Sequence, residues 1–398
     1  MRFAKVSYEM IKLKKCYKVR KMKKISLVLL SLLSLTACNS GSSSSSGGGS
    51  TYPSNPTNTL PNGYQCLPSG YPTSSSNSGS NAKIAYGSNC QVENVSNTSV
   101  QATLESMAVA LTNAKGGRYC TGTPLSYDAA TGVGYVLSAA HCVVGNPKSI
   151  GAEVTANNIT TFTKLDPTTN THVNYINQTL NASNSEDRTT GTITAVYIPS
   201  QYCQAAPFTL NRYGNYECGY LPAQNGDLAL LKVNFTSAQS MSVNSQVKLA
   251  PSGLTMAQPS YIMALGYGIT NTNDSNTNLF YITYEYFANN SYQGEAGLSA
   301  LMNGYSPSGS DAYYSIICGG DSGGGDFYWD GTNWNLVGAH SYGSSICGAA
   351  NVNYAGANDV SADVRPFASQ LQQIMAQDTT PTGCNASVSG FICAAQSQ

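Results

Sequence analysis

The feature that most limits the fold of this chain is a series of short apolar runs separated by stretches rich in Gly, Asn and Ser. Each run has the length of a β-strand and is rich in the aliphatic and aromatic residues that strands favour. The clearest runs are residues 133–137, 228–233, 261–265, 280–286 and 335–339. With 38 glycines and only 10% charged residues, the chain suits short strands joined by many turns. The pattern therefore predicts an all-β barrel or sandwich between residues 84 and 375.

Helical periodicity appears only near the C-terminus. Within residues 367–376, the side chains of Phe367, Leu371, Ile374 and Met375 can share one face of a helix. Residues 378–398 then form a turn-rich tail. We expect one late helix followed by this tail.

The N-terminus has the features of an export signal. Ten of the twenty basic residues lie in the first 37 positions, against a single acid, Glu9. An apolar run over residues 25–35 follows Lys23 and Lys24, and it is too short to span a bilayer as a helix. Twelve cysteines also fit an exported chain. The remainder holds ten basic and nineteen acidic residues, a net charge of −9. This charge excludes the basic surface that binding of nucleic acid requires.

A tether is expected after the signal. Residues 39–62 consist almost entirely of Ser, Gly, Pro, Asn and Thr, which cannot bury enough apolar surface to fold. The predicted organisation is therefore an upstream segment with signal peptide over residues 1–37, a flexible tether and pro-segment over 38–83, the folded domain over 84–377, and the tail over 378–398.

The signal ends in a motif of its own. Residues 35–38, with sequence LTAC, resemble the lipobox of bacterial lipoproteins, in which the cysteine receives the lipid. The resemblance implies lipidation of Cys38 and a membrane partner. Since Asn39 rather than Asp follows, it implies delivery to the outer membrane or cell surface, from which the chain can also be released extracellularly. The alternative is an ordinary signal peptide with Cys38 merely close to its cleavage site.

Three blocks carry the residue types that peptide hydrolysis needs: a base, an acid that orients the base, and a nucleophile. They are LSAAHC at 137–142, NGDLALL at 225–231 and CGGDSGG at 318–324. Glycines in the third block let the backbone turn sharply, so two N–H groups can converge on one oxygen. This chemistry requires no cofactor, and the three histidines lack the spacing of a metallohydrolase site.

The blocks resemble those of the trypsin/chymotrypsin family of serine proteases, with further landmarks in CTGT at 120–123, GYG at 266–268 and SYG at 341–343. The resemblance implies that His141 is the general base, that Asp227 orients it, and that Ser322 is the nucleophile. It implies that the amides of Gly320 and Ser322 form the oxyanion hole.

The same resemblance implies the architecture. We expect two antiparallel six-stranded β-barrels, the first holding His141 and Asp227 and the second holding Ser322, with the C-terminal helix closing the second barrel. The stretch between His141 and Asp227 is longer than usual in the family, which implies an insertion near the cleft.

The cysteines are assigned through the resemblance. Two pairs correspond to disulfides of the family, and two would join cysteines that are close in the sequence. The last pair consists of the two cysteines that remain. The expected pairs are Cys120–Cys142, Cys318–Cys347, Cys203–Cys218, Cys384–Cys393 and Cys66–Cys90.

Lys83 and Ile84 resemble the family's activation site. Cleavage after Lys83 would free the amine of Ile84, which in the family pairs with the Asp before the nucleophile, here Asp321. The chain would then be a zymogen with an activating protease as partner. The alternative is a coincidental Lys-Ile pair in a linker.

Substrate preference is predicted from the family's pocket. Its base corresponds to Ile316, and Ile317 beside it is also apolar, so a Lys or Arg preference is not expected. His340 stands where glutamyl endopeptidases of this fold carry a His that receives the substrate carboxylate, but it is equally consistent with a pocket wall. Acidic and apolar P1 residues therefore both stay open. The strand that pairs with substrate backbone is Ser341, Tyr342 and Gly343.

The expected partners are protein or peptide substrates. A rival interpretation is a non-catalytic surface lipoprotein that uses a protease scaffold for binding, since a fold does not imply a function. Retention of His141, Asp227 and Ser322 together favours the enzyme.

Overall fold

Strands dominate the computed structural model. It describes residues 58–64, 91–113, 117–143, 173–178, 190–202, 209–210, 216–217, 226–235, 239–256, 260–268, 278–286, 300–303, 318–343 and 359–395. All of these belong to the unit Pro53–Gln398. The predicted signal peptide and Cys38 lie outside the described residues. None of the helices in the described part has the length and apolarity that a membrane span requires.

One helix precedes the first strand of the series, and a second helix lies between the last two strands. In order, the strands are β1 Val109–Asn113, β2 Arg118–Asp128, β3 Val133–Ser138, β4 Val173–Asn177, β5 Thr190–Pro199, β6 Thr209–Leu210, β7 Tyr216–Glu217, β8 Ala229–Asn234, β9 Val247–Leu249, β10 Ser260–Gly266, β11 Phe280–Tyr286, β12 Ala300–Asn303, β13 Gly325–Trp329, β14 Trp334–Gly343, β15 Asp359–Asp363 and β16 Phe391–Ala395. The helices are α1 Thr98–Glu105 and α2 Ala368–Gln377, and short 3-10 turns span Val92–Asn94, Ala140–Cys142 and Arg365–Phe367.

Two rings of antiparallel strands form the body. In the first, the order β5-β4-β1-β2-β3-β8 closes on itself because β8 also pairs with β5. In the second, the order β13-β10-β11-β12-β15-β14 closes because β14 also pairs with β13. β9 adds to the second ring by parallel pairing with β14. The two predicted six-stranded barrels are therefore confirmed.

The five apolar runs predicted as strands are confirmed as β3, β8, β10, β11 and β14. Their inward residues are buried in the barrel cores, and β3 is buried along its whole length. These runs were predictable because fully buried strands read as continuous apolar segments. Their ends place the chemistry, since His141 follows β3 and Asp227 precedes β8.

Helix α2 confirms the predicted late helix to within one residue. Its buried residues Leu371 and Ile374 belong to a core cluster that contains residues of both barrels. The helix also contacts the first barrel directly, since Ser126 Oγ of β2 lies 3.6 Å from Met375 Sδ.

The tail also forms a strand that the sequence did not predict. β16 pairs antiparallel with β5, from Phe391 opposite Pro199 to Ala395 opposite Ala195. The first barrel thus gains a seventh strand from the far end of the chain.

Part of the expected tether is folded. Leu60 is buried, and the Asn58 side chain exchanges two hydrogen bonds with the backbone of Tyr261, at 2.7 and 3.0 Å. The ring of Tyr64 lies 5.1 Å from that of Trp334. The last residues of the expected spacer, 58–62, are therefore packed on the second barrel. An isolated Leu and Tyr are enough here because the second barrel supplies the apolar surface that they cover.

Candidate active site

His141 lies in the 3-10 turn Ala140–Cys142, directly after β3. The Cys120–Cys142 disulfide joins this turn to β2, so the predicted pair is present. The His141 side chain is 34% exposed, while its neighbours Ala140 and Cys142 are buried. The imidazole is thus held by a fixed turn yet remains open to solvent.

Asp227 is the fully buried partner of His141. Its Oδ2 lies 2.7 Å from Nδ1 of His141, and its Oδ1 accepts a hydrogen bond of 2.9 Å from the His141 backbone N–H. The Ser341 hydroxyl also donates to Oδ2, at 2.5 Å. Three donors therefore fix the carboxylate in one orientation towards the imidazole.

The protonation of Asp227 follows from these contacts. Burial on its own would raise the pKa of Asp227, but the charge of His141 and the hydrogen bonds from His141 and Ser341 outweigh it. The pKa of Asp227 is accordingly lowered from its usual value, and the group is an anion at neutral pH. An anion at this position favours the His141 tautomer that carries its proton on Nδ1.

The block CGGDSGG forms the tight loop that the sequence predicted. Gly320 and Gly323 have φ of 99° and 82°, a region that other residues rarely adopt. The loop is tied to both barrels, because Thr121 N–H donates to Ser322 O at 2.9 Å and Gly323 N–H donates to His340 O at 2.7 Å. Ser322 sits half-buried at its tip.

The amides of the loop divide into two groups. Those of Asp321, Gly323 and Gly324 donate to backbone oxygens. Within the described residues, the amides of Gly320 and Ser322 donate to no such acceptor. These two are the amides expected to form the oxyanion hole, so the donors needed for a developing negative charge are at hand.

Ser322 and His141 both lie beside the sulfur of Cys142. Cys142 Sγ lies 3.6 Å from Ser322 O and 3.9 Å from Nε2 of His141. The turn that holds His141 is therefore next to the nucleophile loop.

Asp321 is buried beneath the loop. Its Oδ1 accepts the Gly268 N–H at 2.6 Å, and its Oδ2 accepts the Cys318 N–H at 2.9 Å. Lys83 and Ile84, the other residues of the predicted activation site, lie outside the described residues.

The predicted substrate-binding residues are only partly described. His340 is 1% exposed, with Nδ1 at 3.3 Å from both Asp326 Oδ1 and Ser361 Oγ. Ser341 contacts Asp227, and Tyr342 and Gly343 continue β14. Ile316 and Ile317 lie outside the described residues.

The cysteine assignments stand as follows. The Cys384–Cys393 disulfide is present, and Cys318 is disulfide-bonded. The remaining predicted partners lie outside the described residues, namely Cys347, Cys203, Cys218, Cys66 and Cys90. Cys120, His141 and Cys142 place three potential metal ligands within 4.8 Å, but the disulfide removes the thiolates that a metal would need.

Sequence reasoning missed two contacts of the site. Ser341 was assigned to substrate backbone alone, whereas its hydroxyl also holds Asp227. Asp326 was not singled out, although an acid inside the glycine-rich and aromatic stretch 323–329 was the available signal. The structure shows it buried, where an acid needs a partner.

Comparisons with known proteins show to which family the chain belongs. The family model Trypsin matches residues 94–367. Two solved structures that align with the chain are "atomic resolution structure of HBP", with TM-score 0.44, and human heparin binding protein, with TM-score 0.43. Each is 15% identical and covers 71% of this chain and 96% of its own. A search of curated proteins finds no match. The family model spans more than half of this chain, so the chain belongs to the trypsin family.

Proposed function

We propose that this chain is an exported, lipid-anchored serine endopeptidase that hydrolyses peptide bonds through His141, Asp227 and Ser322. The observation that carries the proposal is the buried Asp227, whose carboxylate lies 2.7 Å from His141. Beside it, the amides of Gly320 and Ser322 in the nucleophile loop donate to no backbone oxygen of the described residues.

The proposed reaction has two stages, the acylation of Ser322 and the hydrolysis of the resulting ester. The Ser322 oxygen attacks the substrate carbonyl carbon while Nε2 of His141 takes the hydroxyl proton, and the amides of Gly320 and Ser322 bind the oxyanion. Nε2 then gives that proton to the leaving amine, which leaves an acyl ester on Ser322. Water then attacks the ester carbon while Nε2 of His141 takes a proton from it. Nε2 returns this proton to the Ser322 oxygen as the acid product leaves. Asp227 stays ionised throughout and stabilises the imidazolium.

Peptide hydrolysis by the purified, activated protein tests this mechanism. Wild-type protein should cleave a protein substrate such as casein, and Ser322→Ala should lower kcat by about 10⁶-fold. Ser361→Ala, a hydroxyl deletion away from the triad, serves as the matched control and should retain turnover. Turnover by the wild-type protein that does not exceed the Ser322→Ala background would instead support the rival, a non-catalytic surface-binding lipoprotein.

Activation by cleavage between Lys83 and Ile84 belongs to the proposal. Gln91 bridges to Phe280, and Phe280 pairs with Gly266 at the end of β10. Only residues 84–90 would separate the new amine from Gln91, and seven extended residues reach up to roughly 25 Å. That reach supports pairing of the Ile84 amine with Asp321, which accepts the N–H of Gly268, two residues beyond this end of β10. The family match begins ten residues after Ile84, at residue 94.

N-terminal sequencing of the active form decides the activation step. A chain that starts at Ile84 is expected, and Lys83→Ala should stay uncut and inactive. An active sample without that N-terminus would contradict the activation step while leaving the triad in place.

The cut chain is proposed to remain anchored. Residues 58–64 stay packed on the second barrel through Leu60, Asn58 and Tyr64, which supports retention of the pro-segment even without the predicted Cys66–Cys90 disulfide. Metabolic labelling with a fatty acid tests the anchor at Cys38. Cys38→Ser should lose the label and leave the membrane fraction, whereas labelled Cys38→Ser protein would contradict the lipid attachment.

The proposed P1 preference is acidic or apolar rather than Lys or Arg. His340 is fixed by Asp326 and Ser361, which supports a rigid role behind the nucleophile loop. A panel of peptides that differ only at P1 distinguishes the two options. Efficient cleavage after Lys or Arg would contradict both.

A further inference from the structure

A buried Lys–Asp ion pair lies away from the triad, where the tail meets the first barrel. Lys232 Nζ lies 2.7 Å from Asp378 Oδ1, and both side chains are fully buried. Lys232 belongs to β8, the strand that Asp227 precedes, and is five residues further along the chain. The pair therefore fixes the tail to the strand that follows the catalytic acid.

Other contacts close around the same pair. The Tyr197 hydroxyl donates to Asp378 Oδ2, and the Tyr135 hydroxyl donates to the Asp378 carbonyl. Lys232 also donates to the carbonyls of Thr382, at 3.3 Å, and Gly383. The turn after α2 thus wraps around one ammonium group, and a buried charge with this many partners is strongly localised.

The rest of the tail lies along β5. β16 pairs with β5 from Phe391 opposite Pro199 onwards, and Ser200 N–H donates to Gly390 O at 2.8 Å. The Cys384–Cys393 disulfide joins the wrapped turn to β16. Ion pair, disulfide and strand pairing therefore act on one continuous segment, residues 378–395.

This segment reaches the triad through two aromatic rings. The ring of Phe391 meets that of Phe367 edge-on, with centroids 6.0 Å apart. A methyl group added at Gly226 would lie 2.9 Å from Cζ of Phe367 and 3.3 Å from Cβ of Pro199. Gly226 immediately precedes Asp227, so the ring of Phe367 packs closely against the residue next to the catalytic acid.

We propose that residues 378–395 are a positioning element that fixes Asp227 relative to His141. The tail binds β8 through the Lys232–Asp378 ion pair. Through Phe391 it also holds the ring of Phe367 in contact with Gly226. The inference rests on the proposed function for the role of Asp227. The tail touches no reacting atom, so its effect is on geometry. Misplacement of a catalytic group by about 1 Å can cost on the order of a hundredfold in rate.

Phe391→Ala tests the proposal because Phe391 is only half-buried and its loss should leave the fold intact. We expect kcat to fall by roughly ten- to a hundredfold with little change in KM. The NMR resonance of the proton between His141 Nδ1 and Asp227 should broaden or shift. Phe391→Tyr keeps the ring and should restore both properties.

Tyr127→Ala is the matched control. Tyr127 is also half-buried on the first barrel and also packs edge-on against a Phe, Phe235, at 5.4 Å, but it lies at the end of β2 away from His141. It should lower stability without changing kcat or the shared-proton resonance. Equal losses in Tyr127→Ala and Phe391→Ala, or an unchanged resonance in folded Phe391→Ala, would overturn the proposal. The resonance needs no turnover, so it tests the tail even where the proposed protease activity fails.

Discussion

The molecule contains two imidazole–carboxylate pairs, and they differ in what surrounds them. In one, His141 is 34% exposed and lies 2.7 Å from Asp227. In the other, His340 is 1% exposed and lies 3.3 Å from Asp326. Both acids are fully buried. The same two residue types thus face the cleft in one place and are enclosed inside the second barrel in the other.

The difference shows that a buried Asp beside a His does not by itself identify a general base. A base needs a second nitrogen that substrate can approach, and only His141 of the two has substantial exposure. β14 links the pairs, since His340 accepts the amide of Gly323 through its backbone while the next residue, Ser341, holds Asp227. The enclosed pair is therefore placed to support the loop that carries Ser322.

The largest expected contrast comes from changing each acid to its amide. Asp227→Asn should lower kcat by about 10⁴-fold, because the amide favours the wrong tautomer of His141. Asp326→Asn should stay within about tenfold of wild type, since His340 does not transfer the proton. Steady-state kinetics on both variants, with unfolding curves to verify the fold, make the comparison. Similar losses in kcat would remove the distinction between the pairs.

Lys232–Asp378 sharpens the comparison because it is buried but contains no imidazole. Lys232→Met leaves the Asp378 carboxylate without its cation and should lower the free energy of unfolding by about 3–5 kcal/mol. Lys232→Met combined with Asp378→Leu removes both charges and should recover most of that loss. Denaturant unfolding measures both variants. A single variant as stable as wild type would show that the pair is not desolvated as described.

The hydroxyls beside the two pairs give a smaller contrast. Ser341→Ala removes a hydrogen bond to the Asp227 anion, of a kind that contributes about 1.5–3 kcal/mol, so kcat/KM should fall by roughly ten- to a hundredfold. Ser361→Ala removes the 3.3 Å contact to His340 and should change kcat/KM less than Ser341→Ala does. A larger effect from Ser361 would mean that the enclosed pair takes part in catalysis.

The pH dependence of stability should show the smallest effect. The pKa of Asp227 is lowered, as is that of Asp378, so each contributes stability above the usual Asp value of 3.8. That contribution is lost as pH falls through the lowered pKa values. The free energy of unfolding should therefore drop below about pH 4 in wild type and drop less steeply in Asp378→Asn. An identical pH dependence of the free energy of unfolding in wild type and Asp378→Asn would contradict the lowered pKa of Asp378.

The sequence predicted the parts of the fold that depend on local pattern. The strands around residues 133–137 and 228–233 are continuous apolar runs, and the loop at 318–324 is specified by its glycines. The closure of the two barrels came from resemblance, since strand pairing over long distances leaves no local signal.

The contacts that the sequence did not predict join distant segments. Lys232 and Asp378 are 146 residues apart, and Asn58 and Tyr261 are 203 apart. Neither β16 nor residues 58–64 can bury their apolar side chains without the barrel that covers them. The local sequence of each segment therefore predicts a turn or a linker. Long-range burial, rather than composition, folds these segments.

Covalent labelling of the nucleophile tests the central claim most directly. An activated sample treated with a serine-reactive phosphonate should carry one adduct, located at Ser322 by mass spectrometry. Ser322→Ala should carry none, and Asp227→Asn should react far more slowly. A folded sample, cut after Lys83, that takes up no phosphonate at Ser322 would contradict the assignment of a serine protease.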